Sequence, residues 1–324
     1  MATKCIDQEV ADKYAVYCGD CCEVTESIPN NSIGLSVFSP PFADLYCYSN
    51  NERDMGNCKN YDQFFVQFGV LADQLFRVMM EGRSVTIHCM DIPAMKERDG
   101  YIGIKDFPGD IIRCFQKRGF IYHGRCTIWK DPLIEATRTK ALGLMHKQLC
   151  KDSALCRMGL PDYIVVLRKP GENKNPIIHP QGLSSYAGRA VLPPGNQSHN
   201  IWRAYASPIW TDIRQTRTLN RKEAREEKDE KHICPLQLDV IERCLTLYSN
   251  PGDTLLTPFM GVGSEVCGAI QYGRRAIGIE LKESYYRQAI RNIHHVVEIP
   301  ITGEGDLFSA ACEKEEPEEE YNEV

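Results

Sequence analysis

Residues 250–280 read NPGDTLLTPFMGVGSEVCGAIQYGRRAIGIE, and this stretch decides the fold. An Asn-Pro-Gly-Asp turn precedes a short apolar strand, Thr254–Thr257, and a glycine-bearing loop, residues 258–263, then opens a helix over residues 264–272. A Gly-Arg-Arg turn follows, and residues 276–281 form a second apolar strand. A strand, a helix and a second strand in this order predict a parallel βαβ unit.

The loop of this unit carries Gly261 and Gly263, and Glu280 stands near the end of the second strand. Glycines let the backbone turn tightly and approach a ligand, and an acid at a strand tip can accept hydrogen bonds from both ribose hydroxyls. Ser264 and Glu265 replace the end of a G-x-G-x-x-G pattern, and a carboxylate near a diphosphate is unfavourable. We therefore expect an adenosine cofactor without phosphates, of which S-adenosylmethionine is the common one. The alternative is a tight strand–helix turn with an ion-pairing glutamate.

The same alternation of strands and helices runs through most of the chain. It predicts an α/β fold with a doubly wound, mostly parallel sheet. Between residues 131 and 231 the alternation stops and prolines, glycines and basic residues accumulate, so we expect an inserted, irregular module there. The other predicted elements are strands at residues 14–17, 33–38, 84–89 and 121–130, and helices at residues 61–80, 107–118, 235–248 and 283–293.

Ser39-Pro40-Pro41-Phe42 follows directly on the predicted strand of residues 33–38. A loop at the carboxyl end of a parallel strand faces the ligand crevice of such a sheet. The prolines fix the backbone and remove its donors, which leaves the Ser39 hydroxyl and the Pro40 carbonyl as rigid acceptors beside the Phe42 ring. Such acceptors suit the exocyclic amine of a stacked base, whose lone pair must attack a methyl group in line. In isolation the segment would be a plain strand exit, but beside an adenosyl-cofactor loop the catalytic interpretation is favoured.

The two motifs together resemble the exocyclic-amino DNA methyltransferases, which modify cytosine N4 or adenine N6. The match covers about residues 14–130 and 232–296. The catalytic motif precedes the cofactor loop, as in the permuted β group of that family. The resemblance implies a Rossmann-like methyltransferase fold with circularly permuted motif order and an inserted target-recognition region. It divides the chain into a catalytic half at residues 1–130, a target-recognition region at 131–231, a cofactor-binding half at 232–300 and an acidic, disordered tail at 301–324.

The resemblance also implies the roles of individual residues. Ser39, Pro40, Pro41 and Phe42 would form the catalytic motif. The residues that it implies for S-adenosylmethionine binding are Asp20 at the adenine, Glu280 at the ribose and, around the rest of the cofactor, Cys234, Gln237, Thr257, Pro258, Phe259, Gly261, Gly263 and Ser264.

Two positions depart from the family pattern. The family usually has Asp where Thr257 stands, so that one cofactor contact is lost, moved to Glu265 or supplied elsewhere, and it more often has Tyr where Phe42 stands. Ser39 is typical of the cytosine-N4 enzymes, whereas Asp or Asn typifies the adenine-N6 enzymes. The resemblance therefore implies direct methyl transfer from S-adenosylmethionine to N4 of a cytosine flipped out of double-stranded DNA.

Three alternatives remain open. The first is the same fold acting on adenine N6, and the second is a methyltransferase for protein glutamine or RNA, which generally places a comparable proline pair after the cofactor loop. The third is a catalytically decayed DNA-binding relative, which Thr257 makes conceivable. The recognition sequence, a homodimer and a cognate restriction endonuclease, as against a solitary enzyme, also stay open.

Charge is distributed unevenly along the chain, whose formal net charge is −6. Residues 304–324 hold nine acids and one base, which leaves residues 1–303 at +2, while residues 125–225 hold 17 Lys/Arg and 7 Asp/Glu. A basic middle in an acidic protein indicates a polyanion-binding face, and on charge alone a solvated surface explains it equally well. The basic residues expected at DNA are Arg138, Lys140, His146, Lys147, Lys151 and Arg157, followed by Arg203, Arg214, Arg217, Arg221, Lys222 and Arg225.

The sequence also argues against several classes of protein. No run of 18 apolar residues predicts a membrane span, the first residues lack a secretory signal, and fifteen irregularly spaced cysteines favour reduced thiols in a cytoplasmic protein. Cys18 and Cys21 have half of a zinc-site spacing without a second pair, so no metal is expected. His88, His123 and His146 have no visible catalytic partner and are expected to be structural or to face phosphate.

Overall fold

The structure, a computed structural model, describes residues 3–42, 54–58, 60–94, 96–139, 142–219 and 235–298, without the side chains of residues 97, 98, 137–139 and 142. Within these residues nine strands form one sheet and two short strands form a hairpin. The strands are β1 (Asp7–Val10), β2 (Tyr14–Cys18), β3 (Ile33–Phe38), β4 (Met79–Met90), β5 (Ile92–Ala94), β6 (Gly103–Lys105), β7 (Ile121–Ile128), β8 (Asp162–Arg168), β9 (Ile209–Trp210), β10 (Thr254–Thr257) and β11 (Arg275–Glu280).

The sheet is doubly wound around one switch point. Its strand order is β1-β2-β11-β10-β3-β4-β8-β7-β9. The five strands from β2 to β4 in that order are parallel to one another, whereas β1 and β8 run antiparallel to their neighbours. The chain winds outward from β10 to β11 on one side and from β3 to β4 on the other, so the crevice of the sheet lies where β10 and β3 adjoin.

Helices cover both faces of the sheet, and their ends follow local side-chain chemistry. The Asn60 side chain accepts a hydrogen bond from the Gln63 N–H and caps α2, and the Asp106 side chain caps α4, which has Pro108 in its first turn. The helices are α1 (Cys21–Glu26), α2 (Tyr61–Val78), α3 (Lys96–Asp99), α4 (Phe107–Gln116), α5 (Pro132–Thr139), α6 (His146–Leu149), α7 (Gln197–Tyr205), α8 (Leu238–Tyr248), α9 (Ser264–Gln271) and α10 (Glu283–Glu298).

Two hydrophobic clusters fill the space between the sheet and these helices. One cluster joins α8, α9 and α10 to the sheet and includes Leu255, and the other joins α1, α2 and α4 to the opposite face and includes Leu256. Consecutive residues of a strand point to opposite faces, which is why a continuous apolar strand such as β10 is buried on both sides.

The predicted fold class is confirmed, and several predicted boundaries are wrong. The helix predicted at residues 61–80 ends at Val78, because Met79 is extended and pairs with Ile33 as the first residue of β4. The helix predicted to begin at residue 235 begins at Leu238. Strand β8, which lies in the interval predicted to be irregular, pairs with β4 and β7 inside the main sheet. The exposed, polar β1 was also missed, as were the short strands β5, β6 and β9 and the helices α1, α3, α5, α6 and α7. The elements that were predicted differ from the structure by a few residues at their ends.

Across the described part of the chain, none of the helices combines the length and the hydrophobicity that a bilayer crossing requires.

One buried hydroxyl links the two halves of the sheet and can be tested directly. Ser36 Oγ donates to the Leu256 carbonyl at 2.8 Å, so Ser36→Ala should lower the free energy of unfolding by about 1 kcal/mol, measured by urea denaturation. The control is Ser32→Ala, since Ser32 Oγ makes the same kind of bond to the Pro29 carbonyl at the exposed surface. A Ser36→Ala loss no larger than the loss in the control would contradict a role for this bond in joining the halves.

Candidate active site

The two sequence motifs meet at one edge of the sheet. Leu35 pairs with Leu255 and Ser36 with Leu256 in parallel register, so the carboxyl ends of β3 and β10 lie side by side. Just beyond these pairs, the Phe38 and Phe259 rings pack with their centroids 5.7 Å apart. The strands β2, β11 and β4 run in the same direction and end at the same edge. Segments more than 200 residues apart in the chain therefore form one crevice.

The glycine-bearing loop is tied to Glu280 through its backbone. The Gly261 N–H donates to Glu280 Oε2 at 2.8 Å, the Lys282 N–H donates to Oε1 at 2.8 Å, and the Met260 N–H donates to the Ile279 carbonyl at 2.8 Å. Each carboxylate oxygen has a second lone pair, so Glu280 can orient the loop and still accept from a ligand hydroxyl.

A side chain at position 263 would be unfavourable for two reasons. Its φ is 92°, in the left-handed region that glycine favours, at the residue that caps α9. A Cβ at this position would also lie 3.2 Å from the Ala289 Cβ on α10. The loop can therefore turn into α9 close against α10 only with glycine here.

Two buried hydroxyls at the two ends of the glycine-bearing loop have no hydrogen-bond partner among the described residues. They are Thr257 Oγ1, at the end of β10, and Ser264 Oγ, at the start of α9. Buried polar groups are normally satisfied by protein, water or ligand. A ligand seated on the loop, with hydrogen-bonding groups near both hydroxyls, would satisfy them. The donors and acceptors present therefore fit a polar cofactor such as S-adenosylmethionine.

Asp20 lies beside a surface cavity of about 370 Å³ that is also lined by Gly19 and Leu281. The cavity adjoins Glu280, because the Gly19 N–H donates to the Glu280 carbonyl at 2.9 Å. Oδ1 of Asp20 already accepts from the Cys22 N–H at 2.8 Å and from the Glu23 N–H at 3.3 Å, which caps α1. The side chain is thus held rigidly at the cavity wall, next to the residue expected to bind ribose.

The Ser-Pro-Pro-Phe segment forms the other side of the crevice. Pro40 is buried, while Ser39, Pro41 and Phe42 are half-buried. The Phe42 ring packs edge-on against the Phe107 ring of α4, with centroids 6.1 Å apart. This contact helps to fix the orientation of the Phe42 ring.

Ser39 has a partner that the sequence did not reveal. Its hydroxyl lies 3.2 Å from Nδ1 of His88, which was expected to lack a catalytic partner. His88 Nε2 in turn lies 3.3 Å from Asp162 Oδ2. Ser39 and His88 are 49 residues apart, and Asp162 lies in the interval expected to be irregular. The residues belong to a common site only because β3, β4 and β8 are neighbours in the sheet.

Two glutamates on the cofactor side of the crevice, buried Glu265 and half-buried Glu280, have raised pKa values. Desolvation by burial raises the pKa of Glu280 to about 7, against backbone hydrogen bonds from Lys282 and Gly261 that lower it. Desolvation also raises the pKa of Glu265 to about 8, and the neighbouring charge of Glu280 adds to that shift. Glu265 is therefore largely neutral at pH 7, which removes the repulsion that two adjacent buried carboxylates would otherwise cause.

The basic residues expected at DNA fall into three groups. His146, Lys147 and Lys151 are exposed, as is Arg203. Arg157 is ion-paired with Glu135 at 3.1 Å, and Arg214 and Arg217 are ion-paired with buried Asp239 at 2.6 and 2.7 Å, so these three guanidinium groups are held by carboxylates of the protein. Outside the described residues or side chains lie Arg138, Lys140, Arg221, Lys222 and Arg225, together with the expected cofactor residue Cys234 and the acidic tail.

The exposed basic residues of α6 lie in the segment between β7 and β8, residues 129–161, which is called the excursion below. The chain leaves the sheet at Ile128, the carboxyl end of β7, and returns at Asp162, which pairs with Ile128 at the start of antiparallel β8. The excursion therefore begins and ends at the edge where β3 and β10 also end. Gln237, the last expected cofactor residue, donates through Nε2 to Gln215 Oε1 at 3.0 Å.

Comparison with known proteins agrees with this geometry. A family model described as DNA methylase, N6_N4_Mtase, matches residues 33–291. The chain is 22% identical over 298 residues to the type II methyltransferase M.MjaI of Methanocaldococcus jannaschii, covering 85% of this chain and 89% of that relative. Among solved structures, it resembles a Thermus thermophilus protein complexed with S-adenosyl-L-methionine, with a TM-score of 0.60, 22% identity and coverage of 87% and 94% of the two chains. It also resembles the PvuII DNA methyltransferase, described as cytosine-N4-specific, with a TM-score of 0.56, 18% identity and coverage of 87% and 86%.

The raised pKa of Glu265 predicts how stability depends on pH. Because the folded protein keeps a proton that the unfolded chain releases above the ordinary glutamate pKa of 4.5, stability should fall as pH rises from about 4.5 to about 8. Glu265→Gln removes this proton exchange, so the variant should lose less melting temperature than the wild type between pH 5.5 and 8.5. The difference corresponds to a few kcal/mol, on the order expected for a buried group.

Glu283→Gln is the matched control for this measurement. Glu283 is 56% exposed and forms a surface pair with Arg287, so its replacement should leave the slope of melting temperature against pH unchanged. An equal slope in the wild type and in Glu265→Gln would show that Glu265 does not carry the proton.

Proposed function

Because this chain belongs to the N6_N4_Mtase family of DNA methylases, we propose that it transfers a methyl group from S-adenosylmethionine to the exocyclic N4 amine of cytosine in double-stranded DNA. The observation that carries the proposal is the adjacency of Ser39-Pro40 to the Gly261–Gly263 loop at the switch point of the sheet, reached by parallel pairing of β3 and β10. A methyl donor on the loop and an amine at the proline pair would then face each other across one crevice.

In this proposal the cofactor is bound by a carboxylate, a surface cavity and two buried hydroxyls. Glu280 accepts from the ribose hydroxyls, the cavity beside Asp20 receives the adenine, and the unpaired hydroxyls of Thr257 and Ser264 bind its polar methionine end. When bound, S-adenosylmethionine supplies an electrophilic methyl group on a sulfonium. Thr257 fits this role as a hydroxyl donor in place of the more usual Asp.

The target amine is activated by hydrogen-bond acceptors. Ser39 Oγ and the Pro40 carbonyl accept the two amine hydrogens, which favours the pyramidal form of the nitrogen and frees its lone pair. The half-buried Phe42 ring, fixed by Phe107, stacks on the cytosine after the base has left the duplex. No covalent enzyme intermediate is needed, so catalysis rests on positioning and on polarisation of the amine.

The choice of cytosine over adenine rests on Ser39. A serine hydroxyl is shorter than the Asp or Asn side chains typical of the adenine-N6 enzymes, so it suits a different position of the amine. Adenine N6 is the second candidate, since the crevice accommodates the same chemistry. Methylation of protein glutamine or RNA is less favoured because the proline pair precedes the cofactor loop in this chain.

DNA would approach the excursion that leaves the catalytic edge of the sheet. Among its described side chains, His146, Lys147 and Lys151 are exposed and basic, and Arg138 and Lys140 are close to them in sequence. Contacts from these side chains to phosphates would position the duplex with the flipped base over Phe42. Residues that read the base edges are expected within the same 131–231 region.

Nucleoside mass spectrometry tests the proposed chemistry. DNA from a host without modifications of its own, expressing this protein, should contain N4-methylcytosine. Ser39→Ala should reduce methylation to background while the dissociation constant for S-adenosylmethionine, measured by calorimetry, changes less than about threefold, because Ser39 lies on the amine side of the crevice. N6-methyladenine alone would overturn the choice of base, and a fully active Ser39→Ala would overturn the mechanism. Absence of cofactor binding by the wild type would favour the decayed relative.

The proposed contacts of Lys147 and Lys151 with phosphates predict how DNA affinity depends on salt concentration. Lys147→Ala combined with Lys151→Ala should weaken DNA binding and reduce the slope of log affinity against log salt concentration by about 2, one unit for each lost phosphate contact. Lys174→Ala is the control, because Lys174 is exposed beside Asn175, whose carbonyl binds Arg83 at the opposite, amino-terminal edge of β10. Equal slopes in both variants would place the DNA elsewhere.

A further inference from the structure

Four polar side chains form a continuous line away from the crevice. Ser39 Oγ is 3.2 Å from His88 Nδ1, His88 Nε2 is 3.3 Å from Asp162 Oδ2, and Lys130 Nζ is 2.7 Å from Asp162 Oδ1. The four residues lie on or just beyond β3, β4, β8 and β7, which are successive strands of the sheet. The line therefore starts at the proposed catalytic hydroxyl and ends at a fixed ion pair.

Asp162 is an anion even though it is buried. Only 5% of the residue is exposed, and desolvation alone would raise the pKa of its carboxyl. His88 and the Lys130 ammonium, 3.3 and 2.7 Å from the carboxylate oxygens, instead hold that pKa below its usual range, and the Lys130 charge does so whether or not the His88 ring is protonated. A permanent negative charge thus faces the Nε2 side of the His88 ring at neutral pH.

This charge selects the tautomer of His88. A protonated Nε2 is attracted to the Asp162 carboxylate at 3.3 Å, whereas a lone pair on that nitrogen would be repelled by it. The Nε2–H is not aligned for a regular hydrogen bond with any described group, so the attraction is mainly electrostatic. Nδ1 then carries the lone pair and accepts the hydroxyl hydrogen of Ser39.

The tautomer of His88 determines whether the Ser39 hydroxyl donates or accepts at the substrate. A free hydroxyl can donate or accept, but a hydroxyl whose hydrogen is directed to His88 can present only acceptor lone pairs to a substrate. An exocyclic amine needs an acceptor at this position. We propose that His88, oriented by Asp162, is a positioning residue that makes Ser39 an acceptor for the target amine and takes up the proton released by methylation.

The proposed step balances in atoms and charge. The amine nitrogen forms a bond to the methyl carbon as the carbon–sulfur bond breaks, and the electron pair of that bond leaves with sulfur. The nitrogen then gives a proton to Ser39 Oγ while the Ser39 hydroxyl hydrogen moves to His88 Nδ1. The positive charge passes from the sulfonium to the imidazolium, which the Asp162 carboxylate stabilises until solvent removes the proton.

The competing explanation is that His88, Asp162 and Lys130 only fasten the strands together. Asp162 pairs with Met90 of β4 and with Ile128 of β7, so the cluster does lie where three strands join. A purely structural role would affect folding and cofactor binding along with the rate. A positioning role would affect the rate only through Ser39.

Single-turnover methylation by His88 variants separates the two explanations. His88→Leu should lower the single-turnover rate by about 100-fold, as expected for loss of a proton acceptor, with less than a threefold change in the dissociation constant for S-adenosylmethionine. His88→Asn should restore part of that rate, because the amide oxygen can accept from Ser39 at a place close to that of Nδ1 but cannot take up the proton.

Thr86→Val is the control on the same strand. Thr86 is fully buried and donates to the Ser36 carbonyl at 3.2 Å, close to the proposed relay on the same pair of strands. The single-turnover rate of Thr86→Val should stay within about threefold of the wild-type rate, although the melting temperature of the variant falls.

The outcomes distinguish this inference from the proposed function on which it rests. An active Ser39→Ala would overturn the mechanism given under the proposed function and this inference together. An inactive Ser39→Ala beside a fully active His88→Leu would overturn only the relay. Equal rate losses in His88→Asn, His88→Leu and Thr86→Val would assign the cluster to strand packing, and would also overturn the relay. If His88→Leu does not fold, the comparison of His88→Asn with Thr86→Val still decides.

Discussion

Parallel pairing between β3 and β10 is the constraint on which the rest of the molecule depends. The register that sets Leu35 against Leu255 places residue 39 and residue 259 beyond adjacent strand ends. Shifting a strand by one residue would turn every side chain to the opposite face, so the two clusters that bury Leu255 and Leu256 on opposite sides hold this register. The core of the protein thereby sets the distance between the two halves of the crevice.

Three carboxyl groups with shifted pKa values lie at this edge, and each is stabilised in a different way. Glu265 becomes neutral, Glu280 receives two backbone N–H groups, and Asp162 remains charged beside His88 and Lys130. Burying a charge is costly unless it is paired or neutralised. Their gathering at the strand ends is typical of a functional site, where such perturbed groups tend to cluster.

The sequence predicted the fold and the cofactor side of the site from local patterns. The βαβ unit at 250–280 contains strand, glycine loop, helix and Glu280 within 31 residues, so short-range periodicity sufficed. The β8 strand was missed because it follows a stretch without regular periodicity. The ion pairs of Arg214 and Arg217 were missed for a different reason, since their partner Asp239 lies more than 20 residues away in the chain, on α8. The Ser39–His88–Asp162 line had no local signal, since its members become neighbours only through the order of strands in the sheet.

Because the order of strands in the sheet brings the site together, a permuted order of motifs along the chain leaves the site unchanged. The crevice requires that β3 and β10 be adjacent and parallel, and it does not matter which of them comes first in the chain. The connection between them can then carry a long excursion, as long as it leaves and returns at the catalytic edge. In this protein the chain does so between Ile128 and Asp162. Asp162 both ends that excursion and faces His88, so the segment proposed to approach DNA and the line of groups behind Ser39 share one anchor in the sheet.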